Sequence, residues 1–256
     1  MLPYDEAGSG KPIVLLHAGV GDRTMWREHL EPLADAGFRV LALDLPGFGE
    51  AAVTPGAQAP WEDVLRTLKE LDLKRTALVG NSFGAAVALR IAAVAPAAVS
   101  GLVLISAPPL GADPSPELEA AWEAEEAALE RGDIDGAVAA VVKAWTQPDA
   151  SAQLRERIAS MQRRALELQL AAGDTEEAPD PLERDPDALG GVQVPALVAV
   201  GEHDMPDFKS AARELGEVLP QARSVVIEGA GHLAPLENPG EFRRLVLDFL
   251  GDELAG

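Results

Sequence analysis

The sequence predicts an α/β fold: a mostly parallel sheet wound by helices on both faces and broken by one helical insertion. Three observations carry this. Short apolar runs recur at 12–16, 38–43, 76–80, 101–106, 195–200 and 223–228, and helical patterns near 23–36, 61–72, 83–95, 207–219 and 237–250 fall between them. Such alternation points to parallel strands, because each crossover helix returns the chain to the same edge from which it left. Gly80-Asn81-Ser82-Phe83-Gly84 joins a strand-like run to an alanine-rich helical one. The stretch from Pro108 to about Val194 holds no strand signal at all. A chain of 256 residues is long enough for one well-buried domain carrying such an insertion.

Along the chain, Pro12-Ile13-Val14-Leu15-Leu16 is a strand of buried type, and His17-Ala18-Gly19-Val20-Gly21 turns off its end. The preceding Gly8-Ser9-Gly10-Lys11 lacks the strand and spacing of a phosphate loop and reads as a turn. Trp26 and His29 fall in the next helical pattern, where His29 is expected to be exposed and Trp26 to border a cavity.

Thr76-Ala77-Leu78-Val79 then runs into the G-x-S-x-G turn. A serine on such a strand-to-helix turn is forced into a strained backbone, with its hydroxyl clear of the sheet. The flanking Gly80 and Gly84 are expected because a side chain there would collide with the neighbouring strand or helix. The motif is weak by itself; its flanking elements make Ser82 a nucleophile candidate.

After Ser106 the insertion opens with Pro108-Pro109 and continues through helical segments near 116–131, 133–146 and 151–172. A polar return comes next, over 174–181. The expected division is a core of residues 1–107 and 191–256 with a helical cap over 108–190. Trp122 and Trp145 are the cap's aromatics and are assigned with Val20 and Trp26 to substrate binding, with core packing as the competing reading for the two cap tryptophans. Met161 reads as core.

A serine hydroxyl is inert at neutral pH, so it requires a base and a group to orient that base. Ala196-Leu197-Val198-Ala199-Val200 is followed by Asp204, and Ser224-Val225-Val226-Ile227 is followed by His232. Both lie just past strand ends, where parallel sheets collect their chemistry. Ser82, Asp204 and His232 stand in the chain order of a nucleophile–acid–base triad on this architecture. Asp207 is the rival acid but reads as the N-cap of the next helix, and His203 reads as a neighbour of Asp204. Two backbone donors are needed for a developing oxyanion. They are assigned to Gly19 and Phe83, with Val20 as the substitute if the turn is offset by one; His17 reads as a hydrogen-bonding residue of that loop.

These residues carry a resemblance. Val14–Gly19 with Trp26, Val40–Gly49 with its Asp44-Leu-Pro-Gly47, the turn at Ser82, Val194–Asp204, and Gly229–Pro239 with His232 resemble, in order, the motifs of the α/β-hydrolase superfamily. The look is nearest its small cytosolic esterases and lactonases of the 3-oxoadipate enol-lactonase type. The resemblance implies an additional strand at Leu2–Glu6, a sheet trimmed to about seven strands at its first edge, and Ser-His-Asp chemistry without cofactor or metal. His17-Ala18 stands where the family usually has His-Gly, which adds a side chain near the oxyanion site.

Charge and composition bound the rest. A net charge of −21 repels phosphate backbones and anionic lipid, which argues against nucleic-acid or membrane partners. With no cysteine there is no disulfide and no thiolate site, and adjacent His203 and Asp204 are poorly spaced as metal ligands. No apolar run has the length of a membrane span and no signal-peptide core is visible, so a cytoplasmic location is expected. The expected function is hydrolysis of a small-molecule carboxylic ester or lactone through an acyl-enzyme. A carbon–carbon bond hydrolase, a cofactor-free perhydrolase and a non-catalytic ligand-binding protein on the same scaffold are the alternatives.

Overall fold

The computed structural model describes residues 1–185 and 187–254. Pro186, Ala255 and Gly256, which fall within the expected domain ranges, lie outside the described residues. Seven strands form one sheet: β1 (Tyr4–Gly8), β2 (Lys11–Leu16), β3 (Phe38–Leu43), β4 (Thr76–Asn81), β5 (Val99–Ile105), β6 (Ala196–Gly201) and β7 (Ala222–Ile227). Their spatial order is β1-β3-β2-β4-β5-β6-β7, with β1 antiparallel to β3 and every other pairing parallel. The strand order reverses between β2 and β4, so the crevice at their carboxyl ends is the place where such sheets hold ligands.

The crossovers between the first five strands use α1 (Arg27–Asp35), α2 (Pro60–Glu70) and α3 (Phe83–Val94). Between β5 and β6 the chain forms α4 (Pro116–Glu130), α5 (Ile134–Trp145), α6 (Ala152–Ala172) and the short α7 (Pro181–Arg184). Helix α8 (Pro206–Val218) joins β6 to β7, and α9 (Ala234–Glu237) and α10 (Pro239–Leu254) close the fold.

Alternate residues of the central strands feed two cores, as a period of two requires. Ile13, Leu15, Val40 and Ala42 pack with Leu33 of α1 and Phe242 and Val246 of α10. Val14, Leu16, Leu41 and Leu43 pack on the other face with Val64 and Leu68 of α2, Leu89 of α3 and Leu215 of α8. Strands buried on both faces read as continuous apolar runs, which is why they are visible in the sequence.

The inserted helices are stabilised differently. Their own buried cluster is only Ala128, Ala137, Val138 and Leu166 with a few half-buried neighbours. They also bury Leu118, Val141, Ala165 and Leu182 in one large core and Ile158 and Met161 in the other. Each begins with a side-chain cap: Ser115 accepts from Leu118 N at 3.3 Å, Asp133 from Gly136 N at 2.8 Å, Ser151 from Leu154 N at 3.1 Å, and Asp180 from Leu182 N at 2.9 Å. Such caps contribute about 1 kcal/mol each by satisfying orphan N–H groups.

Candidate active site

The turn from β4 into α3 places Ser82 at φ +53°, ψ −113°, in the left-handed half of backbone space. That conformation costs a non-glycine residue roughly 1–3 kcal/mol and persists only where surrounding contacts over-determine it. Here the contacts are the hydrogen bond from Ser82 N to Ile105 O, 2.8 Å, and two close backbone approaches. A Cβ on Gly80 would lie 2.4 Å from the Gly84 carbonyl, and one on Gly84 would lie 2.1 Å from Leu16 O. The glycines therefore let β2, β4 and α3 meet. Ser82 is half-buried at the N-cap of α3, so the helix's first N–H groups, which lack intrahelical partners, begin at the residue after it.

Asp204 follows β6 and His232 follows β7, and both side chains are buried. His232 Nδ1 lies 3.1 and 3.2 Å from the two carboxylate oxygens of Asp204. With Nδ1–H donating to the carboxylate, Nε2 is left as the acceptor, the tautomer a general base requires. Met205 N also donates to Asp204, at 2.8 Å, fixing the carboxylate from behind. The loop carrying His232 is tied to the serine turn, since Asn81 Nδ2 donates to His232 O at 3.1 Å. On its other side Gly231 N donates to Glu237 Oε2 at 2.8 Å. The imidazole packs against two aromatic rings, Phe208 at 4.2 Å and Trp145 at 4.6 Å between centroids, which also touch each other at 5.8 Å.

The turn after β2 brings Gly19 against the helix start: a Cβ on Gly19 would lie 3.6 Å from Phe83 Cβ. Among the described residues, no backbone carbonyl accepts from the N–H of Gly19, Val20 or Phe83. His17 organises this turn. Its Nε2 accepts from Leu45 N at 2.9 Å and its Nδ1 donates to Ala18 O at 2.8 Å, so it links the loops after β2 and β3. Burial holds its pKa below the ordinary histidine value, and the ring is fully occupied as a neutral bridge. Asp44 is fully buried nearby and accepts from Arg23 N and Glu50 N, each at 2.8 Å, and from the Arg23 guanidinium.

Several residues stand elsewhere than expected. Trp26 does not border a cavity: it is fully buried on the α1–α10 face, its ring 6.0 Å from His29 and 5.7 Å from Phe242. His29 is buried, not exposed; Nε2 donates to Pro235 O at 2.9 Å, and burial pushes its pKa down to about 4. Both owe their burial to the carboxyl-terminal part of the chain: the Phe242 ring packs against both, and Pro235 O accepts from His29. Trp122 is 49% exposed on the outer face of α4 and lines no wall of the site. Asp207 is not the N-cap of α8, a position held by Met205. Its carboxylate instead accepts from Ser115 N at 2.7 Å and Ser115 Oγ at 2.6 Å. Burial opposes its ionisation, but those two donors hold its pKa below the usual carboxylate range. Val20 is half-buried where the two large cores meet.

The sequence pattern did not single out Asn81, Phe208, Gln147 or Glu237. Gln147, at the end of α5, donates from Nε2 to Gly229 O at 3.0 Å and from its backbone to Glu237 Oε1 at 3.2 Å. Burial raises the Glu237 pKa against the opposing effect of its Gly231 and Gln147 donors. These residues meet only through the tertiary fold, and no local spacing announces them. Asn81 alone had a signal, its place beside Ser82.

Two cavities flank the turn. One of about 430 Å³ lies against Phe83, with Phe48, Trp61, Val87 and the end of α6 among its walls. The other, about 280 Å³, lies on the His232–Asp204 side and is walled by Lys143, Trp145, Gln147 and His203. Among the described residues no group of three His, Cys, Asp or Glu side chains could hold a metal ion, and no helix is long and apolar enough to cross a membrane.

Residues 13–245 match a family model described as the alpha/beta hydrolase family. The chain is 29% identical to the 2-hydroxy-6-oxononadienedioate/2-hydroxy-6-oxononatrienedioate hydrolase of Cupriavidus pinatubonensis, over 97% of this chain and 89% of that one. A thermophilic esterase from Thermogutta terrifontis superposes with a TM-score of 0.79 at 28% identity, covering 98% of this chain and 93% of that one. The enol-lactonase from Burkholderia xenovorans shares the fold, with a TM-score of 0.77 at 24% identity over 97% of this chain and 96% of that one.

Proposed function

The chain belongs to the alpha/beta hydrolase family, and from that premise we propose that it is a serine hydrolase cleaving a carboxylic ester or lactone. The observation that carries this reading is the chain of hydrogen bonds from Asp204 to the His232 ring, and from the His232 backbone to Asn81 beside Ser82. Ser82 Oγ attacks the carbonyl carbon while His232 Nε2 takes the hydroxyl proton. Asp204 holds the tautomer and stabilises the imidazolium. The carbonyl oxygen becomes an oxyanion received by the N–H groups of Gly19 and Phe83. Collapse expels the alkoxide, which leaves with the proton from His232, and the acyl group remains on Ser82. Water activated by His232 then releases the acid. The helices of residues 108–190 act as a cap that excludes bulk water.

The Cupriavidus relative favours a second reading, carbon–carbon bond hydrolysis on the same three residues. The cavity beside Phe83 weighs against a dianionic substrate. Among the described residues that line it the cation is Arg90, already paired with Asp180, and Glu177 adds a further negative charge.

A panel of nitrophenyl esters and small lactones, assayed beside a ring-cleavage diketone and with a fluorophosphonate label, separates the readings. Ester or lactone turnover is expected, with Ser82 labelled. Ser82→Ala is expected to lower kcat by at least about a thousandfold with an unchanged circular dichroism spectrum. Diketone turnover without ester turnover would move the assignment to the second reading. An unlabelled Ser82 with no turnover of any of them would make the chain a binding protein.

A further inference from the structure

Behind the cavity at Phe83 lies a second of about 500 Å³, walled by Pro109, Leu110, Leu182, Leu189, Leu215 and Val218. Arg90 and Asp180 line both cavities, and a hydrogen-bonded ion pair between them forms the partition. We propose that the space behind this pair is a second acyl subsite, which takes the far end of a linear aliphatic chain when the pair parts. The inference rests on the reading of Ser82 as nucleophile, since the chain enters from a carbonyl held beside Phe83.

Four features support it. The second cavity is apolar apart from the partition and Glu183 and Glu214 at its border, so an aliphatic chain is the occupant its walls suit. Leu110 and Val218 at its mouth are 38% and 44% exposed, and clustered exposed apolar side chains mark ligand grooves. The partition is built from two independent elements. Arg90 is anchored on α3, with Nη1 donating to Ala86 O at 3.0 Å and the guanidinium 6.0 Å from the Trp61 ring centre. Asp180 stands at the start of the four-residue α7, beyond the stretch where Gln58 N donates to Glu176 O at 2.7 Å and Ala178 N donates to Gln58 O at 3.0 Å. Finally, both charged side chains keep about one-fifth of their surface exposed, 19% and 20%, so each has solvent within reach when the pair parts.

The test is the chain-length profile of the full-length protein on nitrophenyl esters from acetate to dodecanoate. Arg90→Ala removes the partition, and Asp180→Asn uncouples it while keeping the oxygen that caps Leu182. A buried methylene contributes at most about fourfold, so in either variant the dodecanoate-to-hexanoate ratio of kcat/KM is expected to rise at least about tenfold. Val218→Trp, which fills the second cavity alone, is expected to cancel that rise in the Arg90→Ala background. A ratio within twofold of wild type in both folded variants overturns the subsite. Binding of methyl cis-parinarate, an uncharged fluorescent polyene ester, is followed in parallel in the Ser82→Ala background. There Arg90→Ala is expected to tighten the dissociation constant about tenfold, and no change overturns the proposal. Should wild type turn over no ester while Arg90→Ala still tightens the probe, the hydrolase reading fails and the subsite stands.

Discussion

The sheet and the helices inserted after β5 are held by different physics. In the sheet, residues are fixed by backbone contact: glycines at 80, 84 and 201 sit where any Cβ would fall within 2.4 Å of another element's backbone. The inserted helices lend apolar side chains such as Leu118, Val141 and Ile158 to the two large cores, but their own apolar cluster is small. Four side-chain caps and a set of polar tethers to the elements beneath add to it. Ser115 bonds Asp207, Gln147 bonds Gly229, Arg164 bonds Gly49 O and Gln169 bonds Gly47 O. Tethers of this kind can be exchanged one at a time, whereas backbone contacts fail together. The proposed chemistry stands on the first region, and in the same proposal the second region bears on substrate choice.

Gly201→Ala strikes the rigid region and carries the largest expected effect. A Cβ there would sit 2.1 Å from Gly231 O and 2.6 Å from Ala230 O, with only main chain to give way. The loop bearing His232 would have to shift, and a misplacement of about 1 Å costs roughly a hundredfold in rate. Ester hydrolysis is expected to fall at least that far, with the melting temperature lowered as well. Near-normal turnover would show that the His232 loop is adaptable, and would erase the contrast drawn between the two regions.

His29 probes the same loop by titration. Its pKa is pushed down to about 4 from an unfolded value near 6.5, because burial disfavours the imidazolium. The unfolded chain therefore binds the proton first as pH falls. The stability contributed by neutral His29 is complete above about pH 6.5 and is lost progressively down to about pH 4, amounting to about 3 kcal/mol at most. Urea midpoints at pH 7 and pH 4.5 should separate for wild type and converge for His29→Gln. Nε2–H donates to Pro235 O in either state, so what acid adds is a buried charge and a second N–H, at Nδ1, that has no partner.

This contrast also explains which features were legible in the sequence. Ser82 and Asp204 each come after a buried apolar strand, and His232 after the apolar Val225-Val226-Ile227 end of the edge strand, so local pattern and chain order were enough to nominate them. The parallel strands β2 to β7 and the helical character of 108–190 were legible because short apolar runs bounded by turn residues alternate with helical patterns, and 108–190 holds no such run. The antiparallel edge strand β1 has no such run and was expected only through the family resemblance. Trp26 and His29 were misread because the residues that cover them, Phe242 and Pro235, come from the far end of the chain. Phe208, Glu237 and Gln147 were invisible, since each matters only through a partner distant in sequence. Side chains that face a partner across a tether leave no trace in their own neighbourhood.

The two cap tryptophans give the smallest and most discriminating test, because sequence treats them alike and structure does not. Trp145 ends α5, is 9% exposed, and lies 4.6 Å from the His232 ring and 5.8 Å from Phe208. Removing it leaves a space against the imidazole and frees one side of the ring that the proposed mechanism uses as base. Trp122 is 49% exposed on the outer face of α4, where a truncated side chain leaves no cavity. Trp145→Ala is expected to lower kcat/KM roughly ten- to a hundredfold and to destabilise the protein by about 3 kcal/mol. Trp122→Ser is expected to change stability by less than about 0.5 kcal/mol and turnover by less than about twofold. Steady-state kinetics on one nitrophenyl ester and urea midpoints decide both. If Trp122→Ser instead proved the more damaging, α4 would have to turn its outer face toward substrate during turnover, and the cap would be a moving part whose closed form differs from the one described.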